Sequence, residues 1–181
     1  MRRRSPVEPR RIVFIGVEGK SERAFAQFAQ RCCDEHRLHV HLNVKLTHAG
    51  DSAAVVEEAG RHLTRLPGRQ YIRSRLVLLD WDRVERDLKA GRDARAVAAR
   101  RNLQLIFQKP NSEGMLFRLY PGNEQRKVPA RHALAELRKK WPEYDKPPTA
   151  THLCQRFTLS DIRRAARYDE ELHRFLAVLG L

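Results

Sequence analysis

Cysteine and acidic residues are both scarce in this sequence. Its 181 residues include three cysteines, two of them adjacent at positions 32 and 33, and no Cys-x-x-Cys pair. This excludes a disulfide framework and a zinc site built from cysteine pairs, so we expect a reducing, cytoplasmic environment. The 22 acidic residues face 36 Lys and Arg, which leaves a net charge of +14. Such an excess favours a polyanionic partner, either nucleic acid or an anionic membrane surface.

Long apolar runs are also missing. The longest, such as residues 12–17, are too short to span a bilayer. The first eleven residues, MRRRSPVEPRR, are basic and lack the apolar core and cleavage site of a signal peptide. Hydrophobic residues nevertheless make up 41% of the chain, enough to bury the core of one compact domain. We therefore expect a globular protein that is not membrane-bound.

Four short apolar segments alternate with helical patterns over the first 120 residues. Continuous apolar runs of this length are typical of strands that are buried on both faces, whereas the strict alternation of Leu38–Leu46 is typical of a strand with one buried face. We predict strands at Arg11–Val17, Leu38–Leu46, Leu76–Leu79 and Leu103–Phe107, and helices at about 22–36 (with Ser21 as N-cap), 51–65 and 83–101. This alternation predicts an α/β fold with a four-stranded, parallel, Rossmann-like sheet covered by helices.

The pattern becomes purely helical after Gly122, with helices predicted at about 129–140, 151–156 and 160–179. We therefore expect three parts in the chain. These are a flexible basic arm at 1–10, an α/β domain over 11–122 and a C-terminal helical extension over 123–181 that packs on it.

Three carboxylates follow the ends of two predicted strands. Glu18 comes directly after the first strand, and Asp80 and Asp82 follow the third. In an open sheet of order 2-1-3-4 these two strands are neighbours, and ligands bind in the crevice beyond their carboxyl ends. Carboxylates gathered there repel one another unless a cation neutralises them, and carboxylate oxygens suit Mg²⁺ or Mn²⁺. The sequence therefore predicts a metal site at this edge, which in a basic protein would meet a phosphodiester.

The spacing of Asp80 and Asp82 has two interpretations. If Asp80 ends the strand, both carboxylates point to one side, with Trp81 opposite, and can share one metal or flank two. Alternatively, the pair is a helix N-cap followed by an acidic first turn, which is a common arrangement. The matching position of Glu18 at a neighbouring strand end favours the metal site.

The segment Gly16-Val-Glu-Gly-Lys-Ser21 resembles a phosphate-binding P-loop but lacks its spacing. Phe14 stands where such a loop has its first glycine. We expect instead that Gly19 allows a close approach of the backbone after the strand, and that Lys20 lies near the phosphate or the metal.

These segments resemble the TOPRIM domain of topoisomerases, primases and OLD-type nucleases. The resemblance rests on a strand that ends in Glu-Gly, IVFIGVEGKSE, and a later strand that ends in Asp-x-Asp, LVLLDWD. The chain is most similar to the RloB-like TOPRIM proteins, through KPNSEGMLFRLY and the Tyr-x-Lys element that opens YDKPPTATHLCQRFTLSDIRRAARY. The resemblance covers about residues 11–179.

The resemblance implies a TOPRIM fold with Mg²⁺-dependent phosphodiester chemistry, and a role in phage defence or abortive infection beside a partner ATPase. Glu18 would act as general acid/base or metal ligand, and Asp80 and Asp82 would hold the metal. The resemblance also implies that Glu113 is a further ligand or orienting carboxylate, that Lys20 neutralises the phosphate and that Lys146 contacts it.

The basic residues that follow the Asp-x-Asp motif, with Arg83 first among them, have two interpretations. They form either a face that contacts a nucleic-acid backbone or a solvated helix with internal ion pairs. The main hypothesis is a metal-dependent nuclease acting on DNA or RNA. The alternatives are a non-catalytic nucleic-acid-binding subunit, and an effector that is silent without its partner ATPase.

Overall fold

The computed structural model describes residues 10–48 and 50–181. The predicted basic arm at 1–10 therefore lies outside the described residues, apart from its last member, Arg10. The Arg10 guanidinium donates to the Asp34 carboxylate over 3.3 Å.

Four parallel strands form one sheet in the order β2-β1-β3-β4, as the sequence predicts. They are β1 Arg11–Val17, β2 Val40–Leu46, β3 Ser74–Asp80 and β4 Gln104–Gln108. β2 begins two residues later than predicted because the Leu38 amide bonds to the Cys33 carbonyl and closes the preceding helix. The neighbours β1 and β3 lie in the centre, so the loops that follow them meet at one edge.

Within the described ranges, nine α-helices accompany the sheet. They are α1 Lys20–Glu35, α2 Ser52–Thr64, α3 Trp81–Lys89, α4 Ala94–Arg101, α5 Ser112–Arg118, α6 Ala130–Lys140, α7 Ala150–Arg156, α8 Leu159–Ala166 and α9 Glu170–Leu179. The α/β class with a parallel sheet covered by helices is thus confirmed.

Three predicted helix boundaries are wrong. Gly19, not Ser21, is the N-cap of α1, and Glu22 accepts a hydrogen bond from its amide. The single helix predicted over 83–101 is interrupted at Gly91, whose φ of +77° favours glycine, and Asp93 then caps α4. The predicted helix over 160–179 is likewise divided, because Asp169 accepts hydrogen bonds from two amides and starts α9.

The sheet separates two hydrophobic cores. On β3, Leu76 and Leu78 face the larger core, which also contains α1 and α5 to α9. Val77 and Leu79 face the smaller core, built with α2, α3 and α4. The helices of residues 123–181 therefore pack on the sheet through the same core as α1.

The sequence predicts that the chain does not cross a membrane and that it has no disulfide framework. No helix in the described ranges has both the length and the apolar character that crossing a membrane requires. All three cysteines are free, and Cys32 and Cys33 are buried in α1. Burial raises the pKa of the Cys33 thiol to about 11, so this thiol stays protonated and unreactive at neutral pH.

We expect Gly16→Ala to lower the free energy of unfolding by about 1–3 kcal/mol, because added volume strains a tightly packed interface. A Cβ at Gly16 would lie 2.6 Å from the Cβ of Ala59 in α2. Urea denaturation measures the loss. Adding Ala59→Gly should recover part of it, although Ala59→Gly alone costs about 1 kcal/mol of helix propensity. Additive effects of the two substitutions would contradict the close approach.

Candidate functional site

The site is built from three helix starts and one strand end at the carboxyl edge of the sheet. Asp80 is the last residue of β3, and Glu113 lies in the first turn of α5, directly after β4. Glu22 lies in the first turn of α1, directly after β1. Together with Asp82 in α3, these residues are called the acidic cluster below.

Asp80 links the ends of β3 and β4. Its Oδ1 accepts a hydrogen bond from the Ser112 amide over 2.7 Å. The chain enters α3 immediately at Trp81, so Asp80 holds the N-cap position but makes no side-chain capping bond. Asp82 lies in the first helical turn, and its amide donates to the Pro110 carbonyl over 2.9 Å. β3 thus ends at Asp80, and the chain is helical from Trp81 onward, so Asp80 stands at the end of the strand and Asp82 in the first turn of the helix that follows.

Glu113 is the most deeply buried carboxylate of the cluster, with an exposed fraction of 2%. Its Oε1 accepts a hydrogen bond from the Tyr144 hydroxyl over 3.3 Å and lies 2.8 Å from Lys146 Nζ. Both partners come from the loop between α6 and α7. The Tyr144 ring packs edge-on against Trp141 at 5.1 Å, which holds this loop against the core. The structure thus brings Lys146 and Glu113 together across the sequence.

Glu22 is buried at the start of α1. The Gly19 amide donates to its Oε2 over 2.9 Å, which fixes the carboxylate on the loop after β1. Burial raises the pKa of Glu22, and the Glu113 charge raises it further, against the opposing effects of backbone hydrogen bonds and Lys146. Glu22 therefore belongs to the same electrostatic unit as Glu113.

Asp80 has the most strongly perturbed titration in the acidic cluster. Burial, followed by the charges of Glu22, Asp82 and Glu113, raises its pKa from 3.8 to about 8, against the hydrogen bond from Ser112. Without a cation, Asp80 is therefore largely protonated at neutral pH.

Lys146 and Tyr144 respond to the same charges. Burial by itself would lower the pKa of Lys146, but its hydrogen bond to Glu113 and the nearby carboxylates outweigh burial and raise it. Burial and the Glu113 charge raise the pKa of Tyr144. The ammonium therefore stays charged and the phenol stays protonated, so both donate to Glu113 at neutral pH.

Glu18 has a different partner. Its carboxylate forms an ion pair with Arg83, and its charge is not among the main causes of the Asp80 pKa shift. Arg83 also donates to the Gly50 carbonyl and lies 3.9 Å from the buried Asp87 carboxylate. The structure thus places Arg83 in contacts within the chain, and its contact with nucleic acid stays a prediction. Lys20 is exposed in the first turn of α1.

The acidic cluster offers oxygen atoms, which are the ligands that a hard cation prefers. They are carboxylates, and the polar atoms Ser112 Oγ and Gln108 Oε1 are buried on the adjoining elements without a hydrogen-bond partner in the described ranges. Gln108 pairs with Asp80 in the β3–β4 register. The described residues contain no set of three His, Cys, Asp or Glu side chains already placed around one metal position. A cation would therefore require side chains of the cluster to converge further.

Two residues of this site were not predicted from the sequence. Glu22 is the last letter of the EGKSE segment, where a carboxylate three residues after the N-cap is usually a capping residue. Tyr144 opens the Tyr-x-Lys element, and its position two residues before Lys146 was the available signal. Neither pattern by itself distinguishes a structural role from a role in the site.

Comparisons of the chain with protein-family models, curated proteins and solved structures give no match. The structure confirms the α/β class and the strand order. The likeness to TOPRIM proteins rests on the motif residues of the sequence.

We expect Asp80→Asn to stabilise the protein increasingly from pH 4 to pH 8 in EDTA. In this range the unfolded state ionises Asp80, whereas the folded state, with a pKa of about 8, retains the proton. Unfolding therefore releases a proton, and this residue lowers stability as pH rises. Urea denaturation at pH 5 and pH 8 should show a gain of about 1–3 kcal/mol that is larger at pH 8.

The control for this measurement is Glu57→Gln. Glu57 lies in α2, and its hydrogen bond to Arg101 lowers its pKa, so its pH dependence has the opposite sign. Parallel stability curves for Asp80→Asn and the parent chain would contradict the raised pKa of Asp80.

We expect Lys146→Gln to lower the free energy of unfolding by about 1–3 kcal/mol at pH 7. The loss leaves Glu113 buried without its cation, but the Lys146 side chain is 50% exposed, so solvent screening limits the effect. Glu113→Gln in the same chain should recover part of the loss, because no unpaired charge remains. A double-mutant cycle by urea denaturation measures the coupling, and a coupling near zero would contradict the ion pair.

Proposed function

We propose that this chain is a TOPRIM-type, metal-dependent phosphodiesterase that cleaves nucleic acid. One observation carries the proposal. Glu22, Asp80 and Glu113 are gathered at the carboxyl edge of β1, β3 and β4, in a protein whose net charge is +14. A mutually repelling carboxylate cluster within an otherwise basic protein is explained best by a cation and an anionic substrate that bind there together.

The proposed metal is Mg²⁺ or Mn²⁺, held by Asp80, Asp82 and Glu113 with Glu22 or Glu18. When bound, such an ion lowers the pKa of a coordinated water and polarises the phosphodiester. The free oxygens support this assignment. In the part of the chain that the structure describes, the contacts of Glu113 converge on Oε1 and the hydrogen bond of Asp80 engages Oδ1, which leaves Oε2 and Oδ2 available.

The chain's own residues would position these carboxylates and receive the substrate. The Gly19 and Ser112 amides orient Glu22 and Asp80. Tyr144 and Lys146 orient Glu113. This anchoring before substrate arrives reduces the reorganisation that the reaction requires.

Two lysines are placed to contact a phosphate. The half-exposed Lys146 can pair with a phosphate oxygen when Glu113 engages a cation. Lys20 is exposed at the N-terminus of α1, where the helix dipole also favours an anion. The role of Glu18 as general acid/base requires its release from Arg83, because the ion pair occupies the carboxylate. A role in phage defence beside a partner ATPase follows from the resemblance to RloB-like proteins.

A second candidate is a non-catalytic nucleic-acid-binding subunit. Lys146 and Arg83 already neutralise Glu113 and Glu18, and the described residues hold no preformed group of three metal ligands. These ion pairs favour a cluster stabilised from within the protein. This candidate predicts salt-dependent binding that survives substitution of the acidic residues.

The deciding experiment incubates the purified chain with single- and double-stranded DNA and RNA in Mg²⁺, Mn²⁺ or EDTA. We expect metal-dependent cleavage that Asp80→Asn and Glu22→Gln each reduce by about 100-fold or more, because each removes a carboxylate that would hold the metal. Glu57→Gln, a carboxylate on α2 paired with Arg101, should cleave like the parent chain.

Two results would contradict the proposal. If Asp80→Asn and Glu22→Gln cleave as fast as the parent, the acidic cluster is not the reaction site. If no form cleaves, with or without a partner ATPase, while all forms bind nucleic acid in a salt-sensitive manner, the second candidate is correct.

A further inference from the structure

A cavity of about 230 Å³ lies between the start of α3 and the loop after β4. It is called the Trp81 pocket here and is lined by Trp81, Lys109, Pro110, Arg118, Arg126, Lys127 and Val128. Four of these seven residues are cationic, and no carboxylate lines the pocket among the described residues. The pocket therefore combines an aromatic surface with positive charge.

Trp81 is half-buried and is held by its neighbours. Its ring packs edge-on against Phe107, with the ring centroids 5.0 Å apart. The Arg95 guanidinium lies 5.1 Å from the indole centroid, and Lys109 Nζ lies 5.4 Å from it. These contacts hold the indole, and both cations lie over its ring, so a stacked base would take the place of the Lys109 ammonium.

The cations of the pocket differ in how many contacts hold their side chains in place. Arg118 is fixed, because it donates to the Lys109 carbonyl over 2.7 Å and to the Asp169 carboxylate over 2.5 Å. Arg126 donates to the Asn123 side chain over 3.1 Å and to the Glu136 carboxylate over 3.3 Å, and it lies over the Phe117 ring. Lys127 is exposed, and no ion pair involves it in the described part of the chain. The pocket thus has two anchored guanidinium groups and an adaptable lysine at its rim.

The loop after β4 connects the pocket with the acidic cluster. Pro110 lines the pocket, and its carbonyl accepts the hydrogen bond from the Asp82 amide. Two residues further on, the Ser112 amide donates to Asp80. Trp81 itself directly follows Asp80, so their Cα atoms are about 3.8 Å apart. The loop after β4 therefore links the pocket to the acidic cluster through its hydrogen bonds to Asp80 and Asp82.

We propose that the Trp81 pocket binds one unpaired nucleotide of a single-stranded nucleic acid, with its base stacked on the indole and its phosphates among the cations. This inference rests on the proposed function for its choice of ligand. The volume is below that of pockets for drug-sized ligands and suits a single planar group. Three of the four cations pair with carboxylates that lie outside the lining, so the charge in excess is that of Lys127. A cation within a lining that holds no carboxylate among the described residues favours a planar group joined to phosphates over an arginine or lysine side chain. A base inside a duplex is already stacked on its neighbours, so only an unpaired base can use this surface.

The test uses the intrinsic fluorescence of Trp81. The chain has two tryptophans, so Trp141→Phe leaves Trp81 as the only reporter. Single-stranded DNA and RNA oligonucleotides, and duplexes of equal length, are titrated in EDTA, which prevents metal-dependent cleavage. We expect saturable quenching with the single strands and little with the duplexes. An oligonucleotide of abasic residues should bind more weakly and leave the emission unchanged.

Substitutions separate stacking from charge. Trp81→Leu should weaken single-strand binding by about 5- to 150-fold, the range measured for loss of one base stack, and change duplex binding less than about 2-fold. Trp81→Phe should retain most of the affinity, because it keeps an aromatic surface. Lys127→Ala should instead weaken binding to all polymers and reduce the slope of log K against log salt by about one. Thermal melts establish that each variant is folded.

The inference is overturned if no oligonucleotide quenches Trp81, if Trp81→Leu weakens duplex and single-strand binding equally, or if Trp81→Phe loses as much as Trp81→Leu. Its failure is distinguishable from that of the proposed function. Quenching by single strands without any metal-dependent cleavage supports the pocket and contradicts the nuclease. Cleavage that depends on Asp80, with unchanged Trp81 emission, supports the nuclease and contradicts the pocket.

Discussion

The hydrogen bond from the Ser112 amide to Asp80 is the contact on which the rest of the site depends. It joins the end of β3 to the start of α5, so that Glu113 follows one residue after the anchor. Asp80 thus directs its carboxylate to the Ser112 amide and makes no side-chain cap on α3. The result is a carboxylate held in a buried position among other carboxylates, where its pKa rises. The contact that joins β3 to α5 therefore also places Asp80 where its pKa is raised.

The sequence predicted the sheet well because the strands have strong local signals. Continuous apolar runs identified β1 and β3, and the rule that ligands bind beyond adjacent strand ends placed Asp80 at the site. The likeness to RloB-like proteins selected Glu113 and Lys146, which lie far apart in sequence and form an ion pair in the structure. Physical spacing alone could not have paired them, because they come from separate loops.

Other features depend on information that is not local. Glu18 and Arg83 pair across the junction of β1 and α3, and nothing in either segment specifies that partner. The interruptions at Gly91 and Asp169 arise where a turn or cap competes successfully with helix propensity. Tyr144 joins the site because Trp141 packs behind it, a contact that tertiary structure creates. At each of these places the local sequence allows more than one arrangement, and contacts with other parts of the fold select the one observed.

The alternation of side chains along β3 also has a consequence for how this protein can change. Asp80 continues the face of Leu76 and Leu78, whereas Trp81 packs with the core on the opposite face. A single residue inserted into or deleted from β3 would shift every later side chain to the other face of the sheet. The Asp80 carboxylate would then meet α2 to α4. The length of β3 is therefore constrained by the face on which Asp80 must lie as well as by core packing. Natural variation in length should be confined to loops on the opposite edge of the sheet.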